Sequence, residues 1–571
     1  MADASRFQLG DDIRLVAADA LARPQAWRES EAAFVERVDE AANRLIVSRG
    51  QYATAARSFS KGAWVIPHCK MQYGNPAWYW CYNLDQRCPA DEQGRRFTHW
   101  FAEWIAEDIA RLNAAAGRQI IDGVEFDVTK FNIVFGKQPL EGMANAIGAA
   151  RAQDCDLDGE GDCGYADGLP THGFGTIDSI AHLRRQTGAG FLILGDSIWT
   201  LWRPWEFANG MDNESFPDIR KEYRWSGAFE RLADWSRLAA EPRFSMVFTR
   251  AGMDRLPGQR DEFQTIRHAL GVACLAGAWH CVGDIEAGIG FRPDEYDAGE
   301  RGQPHWLGAP LEDFQRHTQF QGPNLAAYGA FDAPEPVAAA ALEARPGYAA
   351  AGPSFAAGEG RSGEGCLRAS IALPPKIETP VRPSFARLRL PFEARPGKEY
   401  TLRFWARAET RYGEAGPEFG AVPWGATVSL WSGQEGVENT AQHGVLIRPQ
   451  WRQFHISAEA RPGTAPAGFQ IEMGDEPGTI WLDDVEIFEG GGDAFSRRFE
   501  GGLVLVNGTR SPVEFDLRRI EPERALSRLK SAEAQGLRRG DPAVNTGQPV
   551  DKARPLRLDS FDGLFLLAEP R

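Results

Sequence analysis

No apolar run in this chain approaches the about 18 residues that a membrane-crossing helix needs, so no bilayer span is expected. Positive charge is scarce. Lys and Arg number 63 against 79 Asp and Glu, a formal net charge of −16, which excludes a nucleic-acid backbone or an anionic membrane as partner. No Cys/His quartet stands at zinc spacing, so a structural zinc site is not expected. No Gly-rich phosphate loop precedes a helix, and no G-x-S-x-G marks a serine nucleophile. The opening "MADASRFQLGDD" has no basic stretch followed by an apolar core, so no secretion signal is expected there. Internal repeats and long low-complexity tracts are missing too.

What is present reads as a large globular protein. Of 571 residues, 43% are apolar and 25% charged, the balance of a folded domain with a sizeable core. At about 150 residues per domain the length suggests about four units, although a barrel alone takes about 250. Of eight cysteines, six fall in close pairs: Cys81 with Cys88, Cys155 with Cys163, and Cys274 with Cys281. The first two pairs lie in Asp-, Gly- and Pro-rich stretches and are expected as disulfides. That points to an extracellular or periplasmic location, the alternative being free buried thiols in a cytoplasmic protein. Cys69 and Cys366 are left over.

From about residue 10 to 320, short apolar runs alternate with amphipathic ones. Strands are expected at 44–48, 63–68, 123–128, 190–196 and 244–250, and at the end of 268–284. Helices are expected over 97–117, 177–188 and 226–240, the first with Phe101, Trp104, Ile105 and Ile109 at helical spacing. The count of units predicts an α/β fold with a (β/α)8 TIM-type barrel over 1–330. After an Ala/Gly/Pro-rich boundary, period-2 runs over 340–490 predict an antiparallel β-sandwich of jelly-roll type. The tail, 491–571, predicts a small all-β domain.

The stretch "IIDGVEFDVTKF" (120–131) places two carboxylates, Glu125 and Asp127, in an otherwise apolar run. On a strand, Val124 and Phe126 share one face, while Glu125 and Asp127 share the other. In a barrel both acids stand at the C-terminal rim, where active sites are built. There, burial and mutual repulsion push carboxyl pKa values apart. The alternative is a salt bridge to a neighbouring strand. The next candidate strand ends in Asp196, and "NGMDNESFPD" (209–218), read as a loop after a short strand, offers Asp212, Glu214 and Asp218. Arg250 closes the strand at 244–250, and the last candidate strand ends at Asp284, with His280 and Glu286 near. Arg250 and Asp284 join the substrate-binding candidates. Aromatic residues flank these ends: Trp78 and Trp80, then Trp199, Trp202 and Trp205. Indole faces stack on sugar rings, and carboxylates accept from sugar hydroxyls. Alternatively, these Trp residues fill cores.

"DGVEFDV", "NGMDNESFP" and the late "DEYDAGERGQPHWLGAPL" (294–311) resemble glycoside hydrolases of TIM-barrel fold related to polygalactosaminidases. The tail "FEGGLVLVNGTRSPVEFDL" resembles the β-domain that closes such proteins. The resemblance implies a pair of catalytic carboxylates, with Asp127 as nucleophile or base and Glu214 as general acid. Glu125 fills a position that is usually apolar or aromatic in those relatives, so which acid of the pair is catalytic stays open, and Glu125 and Asp196 are held as reserves. Within 340–490, "GKEYTLRFWARA", "WRQFHIS" and "GTIWLDDVEIF" resemble carbohydrate-binding modules of the xylanase-associated type. There, Trp424 and Trp431 form either a stacking platform or part of the core.

"DCDLDGEGDCGY" (154–165) spaces Asp154, Asp156 and Asp158 as the start of a calcium loop does. Tyr165 stands where such a loop carries a bidentate Glu. A structural Ca2+ and a solvated acidic loop are the two readings, and catalysis needs no cofactor. The expected function is hydrolysis of a poly- or oligosaccharide. The rivals are a glycan-binding surface protein without catalysis, and a metal-dependent lyase or aldolase-type barrel.

Overall fold

The computed structural model describes residues 3–19, 29–72, 78–127, 155–156, 158, 164–196, 201–216, 225–250, 254–256, 258–283, 290–317, 320, 322–326, 329, 331–344, 349–372, 386–431, 442–461, 468–473, 477–533 and 537–569. For 67–72, 78–81, 290–291 and 537–538 only the backbone is described. The chain divides into two units, one made of Met1–Ile121, Lys130–Thr187 and Leu373–Pro383, and the other of the remainder.

The first unit opens with strands β1 (Asp12–Val16), β2 (Glu31–Asp39), β3 (Arg44–Gln51), β4 (Trp64–Gln72) and β5 (Trp78–Cys81). They form one sheet in the order β3-β2-β1-β4-β5, and every pair is antiparallel. Only residues 40–43 separate β2 from β3, with Asn43 at φ 50°. So short a connection makes a hairpin and leaves no room for a crossover helix. Phe7, Ile13, Ala33 and Val35 form the core of this sheet. Helices α1 (Phe97–Ala115) and α2 (Thr171–Thr187) pack side by side in the same direction. Two imidazole–carboxylate bonds link them, His99 Nε2 with Asp178 Oδ2 at 2.6 Å and His182 Nε2 with Glu103 Oε1 at 3.0 Å.

The second unit contains a parallel sheet of β6 (Gly123–Phe126), β7 (Leu192–Asp196), β8 (Gly210–Glu214), β9 (Met246–Arg250) and β10 (Trp279–Gly283). Its order, β10-β9-β8-β7-β6, follows the chain. Helix α3 (Trp225–Leu238) packs on β8, and α4 (Glu262–Ala276) packs on β9 and β10. Asp261 caps α4 by accepting from Gln264 N, and Gly277 ends it at φ 74°. The expected (β/α)8 barrel is therefore corrected. Among the described residues the parallel sheet has five strands, and the strands expected at 44–48 and 63–68 belong to the antiparallel sheet.

The expected sandwich is present. One sheet orders its strands as Ala341–Ala344, Ala386–Pro391, Gly468–Met473, Trp424–Trp431 and His443–Ile447. The other runs Ala349–Ala357, Gly365–Ala372, Gly478–Glu489, Glu399–Thr410 and Arg452–Glu459. Leu388, Leu402, Phe404, Val428, Ile456, Ile471 and Leu482 are fully buried between them. A further sheet orders Gln315–Arg316, Ala494–Arg498, Gly502–Asn507, Asp562–Ala568 and Leu526–Arg528.

Cys88 and Cys155 are free thiols, so neither expected disulfide, Cys81–Cys88 or Cys155–Cys163, forms. The cysteine argument for an oxidising compartment falls with them. No helix among the described residues is long and apolar enough to cross a membrane.

Two contacts tie the helices of the parallel sheet to their neighbours. Trp225 of α3 donates its indole N–H to His268 Nε2 of α4 at 2.9 Å. Burial drives the His268 pKa down to about 3, so the ring stays neutral and its lone pair can accept. Arg267 of α4, almost fully buried, holds Asp562 through three nitrogen–oxygen bonds of 2.7, 3.0 and 3.1 Å. Asp562→Ala would leave the buried guanidinium without its bonded carboxylate, the next being Asp541 at 4.0 Å. Urea unfolding is expected to show a loss of about 3–5 kcal/mol, and an unchanged midpoint would contradict this account.

Candidate functional site

The parallel sheet sorts its side chains by parity. In register, Glu125 of β6 lies beside Leu194 of β7, and Leu194 lies beside Gly210 of β8. Asp196 lies beside Asp212, and Glu214 beside Phe248. Glu125, Asp196, Asp212, Glu214 and Arg250 thus share one face. Val124, Ile193, Met211 and Val247 share the other, where Ile193, Met211 and Val247 are fully buried. Gly195 also belongs to that apolar face, and a Cβ there would stand 2.6 Å from the Trp202 ring. The acids gather at the C-terminal ends of the strands, where open α/β sheets place their ligands.

Strand β8 reads "GMDNE" and has one large apolar residue, Met211. Its other face carries Asp212 and Glu214. Ser215 follows at φ 56°, a left-handed turn that ends the strand at the acid. Glu214 is ion-paired with Arg250, whose backbone N–H donates to Asp254 Oδ2.

Asp196 and Asp212 are buried, whereas Glu125 and Asp127 are exposed. Burial pushes the Asp212 pKa up to about 8. A hydrogen bond to Glu125 and the charges of Glu125 and Asp196 push the same way, and Arg250 only partly opposes them. At neutral pH Asp212 is therefore a protonated acid whose O–H donates to the Glu125 carboxylate. Among the described residues of this face four carboxylates, Glu125, Asp196, Asp212 and Glu214, stand with the guanidinium of Arg250, and Asp127 follows in the turn after β6. Such a site can hand a proton to a leaving oxygen while other carboxylates remain available for attack.

The other sequence candidates are placed as follows. Trp202 is buried, donates Nε1–H to Gly210 O and stacks on Trp235 at 6.2 Å, so it packs the helix side of the sheet instead of meeting a ligand. Trp205 is buried against the same Trp235. Trp424 is fully buried in the sandwich core, while Trp431 is half-buried on the outer face, with Arg389 over its ring at 3.9 Å. Trp78 and Trp80 lie on β5, and their side chains fall outside the described residues. Asp154, Trp199, Asp218, Asp284 and Glu286 also lie outside them. Asp156 gives one carboxylate oxygen to Arg87 Nη1 at 2.8 Å and the other to the Asp158 N–H at 3.2 Å. His280 lies on the helix side, bonded to Thr249 Oγ1 and the Tyr296 hydroxyl, and burial drives its pKa down to about 3.

Sequence reasoning listed Asp212 but gave it no role. The available signal was its spacing of two from Glu214, the parity that had linked Glu125 to Asp127.

No family model matches this chain, and no curated protein sequence matches it. Several solved structures are similar to part of it. A structure described as CBM4 is 20% identical, covering 26% of this chain and 86% of its own, with a TM-score of 0.19. The CBM22-1 xylan-binding domain of Paenibacillus barcinonensis Xyn10C is 12% identical, covering 30% and 97%, with a TM-score of 0.20. The N-terminal cellulose-binding domain of Cellulomonas fimi β-1,4-glucanase C is 18% identical, covering 29% and 97%, with a TM-score of 0.19.

The acid face makes a thermodynamic prediction. Asp212 titrates near 8 when folded and near its ordinary 3.8 when unfolded. The folded state therefore binds the extra proton, and stability falls as pH rises from about 4 to about 8. Asp212→Asn keeps the donor to Glu125 without the titration. In urea unfolding at pH 5 and pH 8, the variant is expected to gain on wild type at the higher pH. A constant difference between the two would contradict the buried proton.

Proposed function

We propose that the chain is a glycoside hydrolase that cleaves a poly- or oligosaccharide at the acid face of the parallel sheet. Asp212 is the general acid. Its O–H protonates the glycosidic oxygen as the bond to the anomeric carbon breaks. Asp127, exposed just beyond β6, supplies the carboxylate that bonds that carbon or takes a proton from the attacking water. Glu125 accepts the Asp212 hydrogen bond and orients the proton. Glu214, expected from sequence as the acid, is ion-paired with Arg250 and is given a positioning role instead.

The single observation behind this reading is a pair of carboxyls, Asp196 and Asp212, buried side by side on a face that also carries Glu125. A solvated acidic patch would have no reason to bury Asp196 and Asp212 together.

The test is release of reducing ends from a panel of polysaccharides. Asp212→Asn is expected to lower kcat by about 10²- to 10⁴-fold, the usual contribution of a positioned acid. The acid must be protonated to work, so wild-type kcat/KM is expected to fall as pH rises through about 8. Full activity in Asp212→Asn would remove the assignment. Absence of released ends from every polysaccharide would favour a glycan-binding protein without catalysis.

A further inference from the structure

Helix α1 buries one side only. Thr98, Ala102 and Ile105 are its buried residues, and they share the side that packs on α2, where Ser179 Oγ donates to Thr98 O at 3.1 Å. The other side carries a run of aromatic rings. Phe97, Trp100, Phe101 and Trp104 stand at spacings of three and four residues, so they line one stripe. Tyr82, from the chain before the helix, extends it by stacking on Phe97 at 5.1 Å. Phe97 meets Phe101 at 5.8 Å, Phe101 meets Trp104 at 6.0 Å, and Trp100 meets Trp104 at 6.4 Å. Tyr82, Trp100 and Trp104 are 64%, 45% and 49% exposed. Aromatic side chains bury about 150–250 Å² each, so these three leave roughly 300 Å² of ring surface open. Single exposed apolar residues are ordinary, but a contiguous patch of this size marks an interaction surface.

Charge says what covers it. The stripe is basic at its start and acidic past its middle. Arg96 immediately precedes Phe97, and Glu107 lies two turns after Trp100 on the same stripe. Arg95 and Asp108 stand next to them in the chain. Among the described residues neither Arg96 nor Glu107 has a side-chain hydrogen bond or ion pair. Arg96 also stands against its own helix dipole, whose positive end has no acid in the first turn. Neither charge is accounted for within the helix, and a second α1 lying antiparallel accounts for both. The pairs Arg96 with Glu107 and Arg95 with Asp108 are centred on the same point, between Phe101 and Ala102. A twofold axis through that point sets each basic start against the partner's acidic stretch, and Trp100 against the partner's Trp104. Each contact then occurs twice, as an isologous interface requires.

We infer that two copies of this chain pair through α1, with their aromatic stripes in contact and Arg96 facing the partner's Glu107. The patch is small against the about 800 Å² per partner of a standard interface, so the dimer is a readily reversible one. This pairing depends on neither the glycan nor the catalytic reading.

Sedimentation velocity of the full chain from about 1 to 200 μM tests it. The sedimentation coefficient is expected to climb with concentration from the monomer value toward that of a dimer. Trp104→Glu is expected to stay monomeric at every concentration. Arg96→Glu and Glu107→Arg are each expected to weaken the dimer about tenfold, because each reversal sets like charges together twice. The double variant Arg96→Glu/Glu107→Arg restores opposite charges, and its dissociation constant is expected to return to within about threefold of wild type. Circular dichroism identical to wild type establishes that each variant is folded, and the charge series stands even where Trp104→Glu is not. A wild type that stays monomeric throughout, a dimer untouched by Trp104→Glu, or single reversals that the double variant does not rescue would overturn the inference.

Discussion

The period of two along a parallel strand governs this protein. β7 turns Gly195 toward Trp202, β8 packs on α3 and β9 on α4, while Glu125, Asp196, Asp212, Glu214 and Arg250 take the opposite face. Burial on the apolar side then brings Asp196 and Asp212 together in a poorly solvated place, because neighbouring strands lie only about 4.8 Å apart. A carboxyl in that position keeps its proton at a pH where an exposed one is ionised. The chemistry of the site is therefore a by-product of how the sheet is packed.

Charge also joins the sandwich to the parallel sheet. Arg452 reaches Asp234 at 2.6 Å and Glu230 at 2.5 Å, both on α3. Arg316 bridges Glu230 and Asp493 at 2.9 and 2.8 Å. Burial raises the Asp234 pKa to about 6 despite Arg452, a sign that desolvation outweighs the ion pair. Interactions of this kind specify orientation more than they add stability. Small residues complete the fit: Gly227 lets α3 approach His443 where a Cβ would stand 2.9 Å from that side chain.

Much of this was legible in sequence. Alternation identified β7, β9 and the sandwich strands, and helical spacing identified α1, whereas the strand expected over 123–128 ends at Phe126, so that Asp127 stands in a turn outside the parity that was to pair it with Glu125. Barrel closure was not legible, because alternating strands and helices do not say how a sheet ends. Strands β1 and β2 were missed, and with them the hairpin that makes the first sheet antiparallel. Strand β8 escaped because "GMDNE" has spent its alternate positions on acids and offers too few apolar residues for a strand pattern. The Trp clusters left a sugar platform and a core filling both open for a related reason. Composition counts indoles but does not tell a ring under Gly195 or inside the sandwich from one facing solvent, and Trp202 and Trp424 are both interior.

Because α3 satisfies a main-chain carbonyl of the strand His443–Ile447, the sandwich is not a portable cassette. Severed from that helix, it would present a naked row of amides and carbonyls ready to recruit another copy by β-augmentation. Recombination that shuffles such domains between genes would have to carry the helix along, or replace it with a new edge guard such as a lysine or a proline.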